Sequence, residues 1–190
     1  DVYKRQVYRF DDPNPEYSMI RRSLALLAIL VLAACATHNA HDNVKVDLAA
    51  VVTDGRATPV DGITSAGQPD EAAFRVFAAS GYTTVIDLRM PDENRGLDEP
   101  AVVESLGMSY VPLPTSGETI SFDQARRLDE LIDAADGPVL VHCGSANRVG
   151  ALIALNEYAD SRDMELALEK GRKAGLTRLE GAVKKAIEAE

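Results

Sequence analysis

Val139-Leu140-Val141-His142-Cys143-Gly144-Ser145-Ala146-Asn147-Arg148-Val149-Gly150 is an apolar run that passes through a short loop of small residues straight into a helical pattern. The run reads as a buried strand. Small side chains between strand and helix let backbone N–H groups converge, and the positive end of the helix that follows adds to their field. Gly144, Ser145, Ala146, Asn147 and Arg148 are therefore expected to cradle an anion. The same field favours negative charge on Cys143, the nucleophilic form of a thiol. Arg148 closes the loop with a planar fork suited to two oxygens of a phosphate or similar group.

Working outward, short β-branched runs alternate with helical periodicity. Strands are expected at Gly62–Ser65, Thr83–Leu88, Ser109–Leu113 and Pro138–His142, and helices at Asp70–Ala79, Glu99–Leu106 and Ser121–Ala135. Further helices are expected at Val149–Asp160, Met164–Lys173 and Arg178–Ala189. Asp70 is placed as a helix cap, and Gly81, Gly107 and Gly137 fall where elements end. This βαβ repetition predicts an α/β fold, a mainly parallel sheet of four to five strands with helices on both faces. In such sheets ligands bind at the carboxyl edge. The loops expected there are 66–69, 89–98, 114–120 and 143–148.

Three segments in order, Ile63-Thr64-Ser65-Ala66-Gly67-Gln68-Pro69, Val85-Ile86-Asp87-Leu88-Arg89 and the His142-Cys143 loop, resemble the beta-lactamase hydrolase-like, dual-specificity-phosphatase-like family. The likeness runs from about Val44 to Leu179. It implies a cysteine-phosphatase-like fold, Cys143 as the nucleophile that forms a phosphocysteine, Arg148 as phosphate ligand, and neither cofactor nor metal. Three features depart from tyrosine and dual-specificity phosphatases. Four residues separate Cys143 from Arg148, one fewer than in those enzymes and equal to the rhodanese spacing. Val149 stands where a hydroxyl residue commonly supports the leaving cysteine. The loop that should bear the general acid, 114–120, offers only Glu118, with Asp92 and Glu93 as substitutes in 89–98.

Supporting roles are expected for His142, as an orienter of the loop, and for Asp87 and Arg89, as a pair that fixes the adjoining turn. Gly67 and Gln68 either close one side of the pocket or simply turn after the first strand.

The amino end reads as an address. Two arginines, Arg21 and Arg22, follow Met19, and the apolar run Leu24–Ala34 is eleven residues, short of the roughly 20 that span a bilayer. Leu32-Ala33-Ala34-Cys35 resembles a bacterial lipobox, which implies a signal peptide over 19–34, lipid attachment at Cys35, a tether to residue 43 and a catalytic domain over 44–190. Residues 1–18 are expected to be a non-native upstream extension. The expected location is the periplasmic side of a bacterial membrane, with membrane contact through the lipid.

Lys and Arg number 20 against 30 Asp and Glu, for a net charge of −10. That balance argues against nucleic-acid partners. Neither CxxC nor a His/Cys cluster at zinc spacing occurs. The expected activity is hydrolysis of small phosphate esters. A sulfurtransferase carrying a persulfide on Cys143 and acting on sulfur species is the first alternative, and a non-enzymatic anion-binding lipoprotein the second.

Overall fold

The computed structural model of the protein describes residues 57–60 and 63–190. The expected leader, Cys35 and its tether, and the upstream stretch lie outside them. A sheet of five strands carries the order β1-β2-β5-β3-β4, with β1 Ala57–Val60, β2 Ile63–Ala66, β3 Thr84–Asp87, β4 Ser109–Pro112 and β5 Val139–His142. Four strands run parallel, while β1 pairs antiparallel with β2 at the edge. The parallel core agrees with the sequence reading, and the antiparallel edge strand is an addition to it. The helices are α1 Glu71–Ala79, α2 Glu99–Ser105, α3 Phe122–Asp133, α4 Asn147–Ser161, α5 Met164–Lys173 and α6 Glu180–Glu188.

Side-chain alternation along the buried central strands assigns residues to two cores. Val139 and Val141 of β5, with Ile86 of β3, join the core under α3 to α6. Leu140 and Val85 face the other way, onto Phe74, Phe77 and Val103 of α1 and α2. The alternation continues through the end of β5. His142 falls on the α1–α2 side, edge-on to Phe74 with ring centroids 6.2 Å apart, and Cys143 falls on the α4 side within the other core. Two consecutive residues thus serve opposite faces of the sheet.

Helix α4 begins at Asn147, two residues before the expected Val149, so Arg148 belongs to its first turn. The helix can start that early because Ala146 adopts a left-handed conformation (φ 62°) and turns the chain sharply. Such a conformation costs an L-residue about 1–2 kcal/mol, and the packing around it supplies the reason. Gly175 lies against Ala146 so closely that a Cβ there would stand 2.5 Å from the Ala146 Cβ.

Candidate active site

The carboxyl edge gathers the loops after β2, β3, β4 and β5. Cys143 heads the last of these and is almost fully buried, its N–H donating to the Ala66 carbonyl at 3.2 Å. An isolated bridge couples Gly67 to Ser145 and ties the β2 loop to the β5 loop. Asp70 and Ser121 cap α1 and α3 with their side chains, but no side chain caps the start of α4. The N–H groups of its first turn have no partner within the helix and remain available to an anion.

Arg148 is held from behind. Its Nη1 donates to Glu93 Oε1 at 2.5 Å and its Nη2 to Glu93 Oε2 at 2.8 Å, while Nη1 also donates to the Thr115 carbonyl at 3.0 Å. A guanidinium carries five N–H groups. These contacts leave the Nε–H and one Nη2–H, the two parallel donors along the side of the group. The guanidinium pKa is raised first by the bond to Glu93, against desolvation, and then by the Cys143 sulfur that it faces. The sulfur and the guanidinium are thus neighbours.

Beside them opens a cavity of about 400 Å³ lined by Met90, Glu93, Ser116, Gly117, Ser145, Asn147, Arg148, Arg178 and Leu179. Its floor and wall come from the β5 loop, the β3 loop, the β4 loop and the turn after α5.

On the other side of the sheet lies a buried polar network. His142 Nε2 sits 2.6 Å from Glu99 Oε1. Gln68 Nε2 donates to Glu99 Oε2 at 2.7 Å, and Gln68 Oε1 accepts from Arg89 Nη1 at 2.5 Å. Arg89 Nε in turn donates to Glu93 at 3.1 Å. A continuous chain of bonds therefore runs from His142 to Arg148. Asp87 accepts from Arg95 Nε and the Tyr110 hydroxyl, each at 2.7 Å, and from the Arg89 N–H at 2.8 Å. Burial, then the bond to Asp87, pushes the Tyr110 hydroxyl pKa up. Asp87, Glu99 and His142 lie close enough together to suggest metal ligands. Arg95 already brings positive charge to Asp87, and both Glu99 oxygens are engaged, so the donor set does not suit a cation.

A profile of the phosphatase-like domain of beta-lactamase hydrolase-like proteins matches residues 56–159. The chain belongs to that family. A beta-lactamase hydrolase-like protein of Agrobacterium fabrum is 34% identical over 104 residues, which cover 53% of this chain and 24% of the relative. The chain thus spans about a quarter of the length of the curated relatives it matches. Among solved structures, a Neisseria meningitidis protein provisionally assigned as a phosphatase superposes with a TM-score of 0.59 at 20% identity, over 75% of this chain and 99% of the other. P. aeruginosa TpbA in complex with pTyr gives 0.53 at 19%, over 72% and 96%. The fold is that of the cysteine phosphatases.

Within this phosphatase-type domain the expected site residues fall into distinct positions. Cys143, Gly144, Ser145, Ala146 and Arg148 form the loop and helix start just described. The Asn147 side-chain oxygen is committed to the protein, since Oδ1 accepts from the Thr177 and Leu179 N–H groups at 2.7 and 3.3 Å. Its Nδ2 and its backbone face the cavity that Asn147 helps to line. The His142 side chain bonds Glu99 rather than the backbone of the loop, and its Nδ1 has no hydrogen-bond partner. Asp87 and Arg89 do not pair through their side chains, because Arg95 takes Asp87 and Arg89 reaches Gln68 and Glu93. Glu118 is exposed and does not line the cavity.

Glu93 is corrected from substitute acid to anchor. Its bonds to Arg148 lead the causes that lower its carboxyl pKa to about 2, aided by the Met90 N–H and Arg89. It stays ionised at neutral pH and has no proton to give. A depressed carboxyl pKa contributes stability that is complete above about pH 4.5 and gone by about pH 2. Glu93→Gln should therefore unfold at lower urea than the parent at pH 7. The gap between the two should close as the pH falls from 4.5 towards 2, and a gap independent of pH would contradict the anchor.

Proposed function

We propose that the domain is a cysteine-dependent phosphomonoesterase. The observation that carries this reading is the free Nε–Nη2 edge of Arg148 beside Cys143 at the uncapped start of α4. A phosphoryl group seated there receives two donors from Arg148 and others from the loop amides, aimed at oxygens that gain charge in the transition state. The Cys143 sulfur forms its bond to phosphorus as the ester P–O bond breaks, and the leaving oxygen departs with the bonding pair. Water then cleaves the S–P bond and regenerates the thiol.

Among the described residues no carboxylate but Glu93 lines the cavity, and Glu93 is committed to Arg148. Glu118, next to the lining residues Ser116 and Gly117, is the group assigned to protonate the leaving oxygen. Aryl esters, whose leaving groups need little protonation, are the substrates of choice for an assay. The buried Val149 offers no hydroxyl to help sulfur leave, which favours a long-lived intermediate.

Intact mass measurement after incubation with para-nitrophenyl phosphate tests the reading. The parent should gain one phosphoryl group and Cys143→Ser none. Gain of a sulfur atom from thiosulfate, without a phosphoryl adduct, would assign the same cysteine to sulfur transfer, the reading favoured by the short loop. On the sequence evidence of Arg21, Arg22 and the Leu32–Cys35 stretch, we place this activity on the periplasmic side of a membrane, anchored through Cys35.

A further inference from the structure

Arg178 lines the same cavity as Arg148 but differs in its surroundings. Each of the other arginines among the described residues has a carboxylate within 4.0 Å. Arg178 has neither an ion pair nor a side-chain hydrogen bond there, although the protein carries a net charge of −10. An unpaired cation among so many carboxylates, placed in a cavity wall, is a local positive field where an anionic ligand would sit.

Its placement is also built in. Helix α5 ends in a turn in which the Leu176 N–H donates to the Gly171 carbonyl at 2.8 Å and the Gly175 N–H to that of Arg172 at 3.1 Å. This double closure with a left-handed glycine is the Schellman arrangement, and it fixes the direction in which the chain leaves the helix. Asn147 then clamps the residues on both sides of Arg178 through the bonds to Thr177 and Leu179. The residue that precedes Arg148 in the chain thus holds the backbone that carries Arg178. Both guanidinium groups are referenced to the start of one helix.

A cavity of about 400 Å³ lies in the size range of sites for whole small molecules. The free edge of Arg148 and the loop amides already supply donors for one phosphoryl group, so a further fork needs an acceptor of its own. We infer that Arg178 forms a second anion subsite, so that the preferred substrate is a phosphomonoester bearing another anionic group, phosphoryl or carboxylate. This rests on the phosphomonoesterase reading and narrows its substrate class.

Three matched esters test it: butyl phosphate, butane-1,4-diyl bisphosphate and 4-phosphooxybutanoate, with phosphate release as the readout. The parent should favour the doubly anionic esters in kcat/KM. In Arg178→Ala that preference over butyl phosphate should fall by about tenfold, as expected for loss of one charge-assisted bidentate contact, and Arg178→Lys should restore part of it. Whether bisphosphate or carboxylate shows the larger loss identifies the group bound. An unchanged preference would overturn the subsite, because a side chain serving only the reacting phosphate would depress all three esters alike. Should the parent hydrolyse neither these esters nor para-nitrophenyl phosphate, the phosphomonoesterase reading fails separately. Titration of Cys143→Ser with the same esters then decides the subsite, since equal affinity for the three refutes it and tighter binding of a dianionic ester, lost in the Arg178→Ala double variant, upholds it.

Discussion

Arg148→Lys should lower kcat/KM for para-nitrophenyl phosphate by about 10²–10³, the range seen when one preorganised donor to a developing oxyanion is removed, although the charge is kept. The reason lies in how the guanidinium is divided. Glu93 takes one N–H from each Nη, and the Thr115 carbonyl takes another from Nη1. What remains for substrate is the planar Nε–Nη2 edge. An ammonium has three donors around one point and no second edge. Placed at this position it satisfies Glu93 at the expense of the phosphoryl oxygens, or the reverse. The loss should fall in kcat as well as KM, since in the proposed reaction the fork is aimed at oxygens whose charge grows during transfer. Steady-state kinetics beside inhibition by inorganic phosphate separate the two contributions. A lysine variant within about threefold of the parent would show that charge alone suffices and that the divided fork is not the device.

Much of this site is local in the chain, which is why the sequence discloses it. Strand, small-residue loop and helix are contiguous from Val139 to Gly150, so Cys143 and Arg148 are placed by one short segment. The alternating runs on either side disclose the parallel sheet for the same reason. What the sequence conceals is non-local. Glu93 lies 55 positions from Arg148, among several acidic residues of a loop that all read alike, and only the folded loop selects which one becomes the anchor. Glu99 reads as a first-turn acid of α2 and is that, yet it is also fully buried against His142 at the end of β5. Alternation could have found the latter contact. Once His142 is assigned to the face of Leu140, it must meet α1 and α2 and needs a polar partner from them. Strand β1 is short, carries Pro59 and lies at an edge, where apolar patterning is weakest. The Asp61-Gly62 pair that follows it is the available signal, a dipeptide typical of tight hairpins. Arg178 escapes notice because its significance is the absence of a partner, which no sequence displays.

The largest stability effect is expected at Gly150, in the second turn of α4. Alanine is the better helix former by roughly 0.5–1 kcal/mol, so propensity alone predicts stabilisation. Packing reverses the sign. A Cβ at residue 150 would stand 2.2 Å from the Leu176 nitrogen and 2.6 Å from the Gly171 carbonyl oxygen, the donor and acceptor of the hydrogen bond that closes α5. Both are backbone atoms, and no rotamer change can relieve them. Gly171 itself is closely packed, with the Ala154 Cβ 2.8 Å from where its own Cβ would be, so α5 cannot simply slide. Gly150→Ala should therefore cost about 3 kcal/mol, the upper part of the range for overpacked cores. Gly181, in α6, is the matched control, since a Cβ there meets nothing within 4 Å. Gly181→Ala should stabilise the protein by about 0.5 kcal/mol. Urea unfolding midpoints at constant slope measure both. Because the displaced turn carries Gly175 against Ala146 and leads directly into the segment held by Asn147, the Gly150 variant should also lose phosphatase activity under conditions where it is still folded. If Gly150→Ala were as stable and as active as Gly181→Ala, the close seating of α5 on the start of α4 could not be what sets the loop.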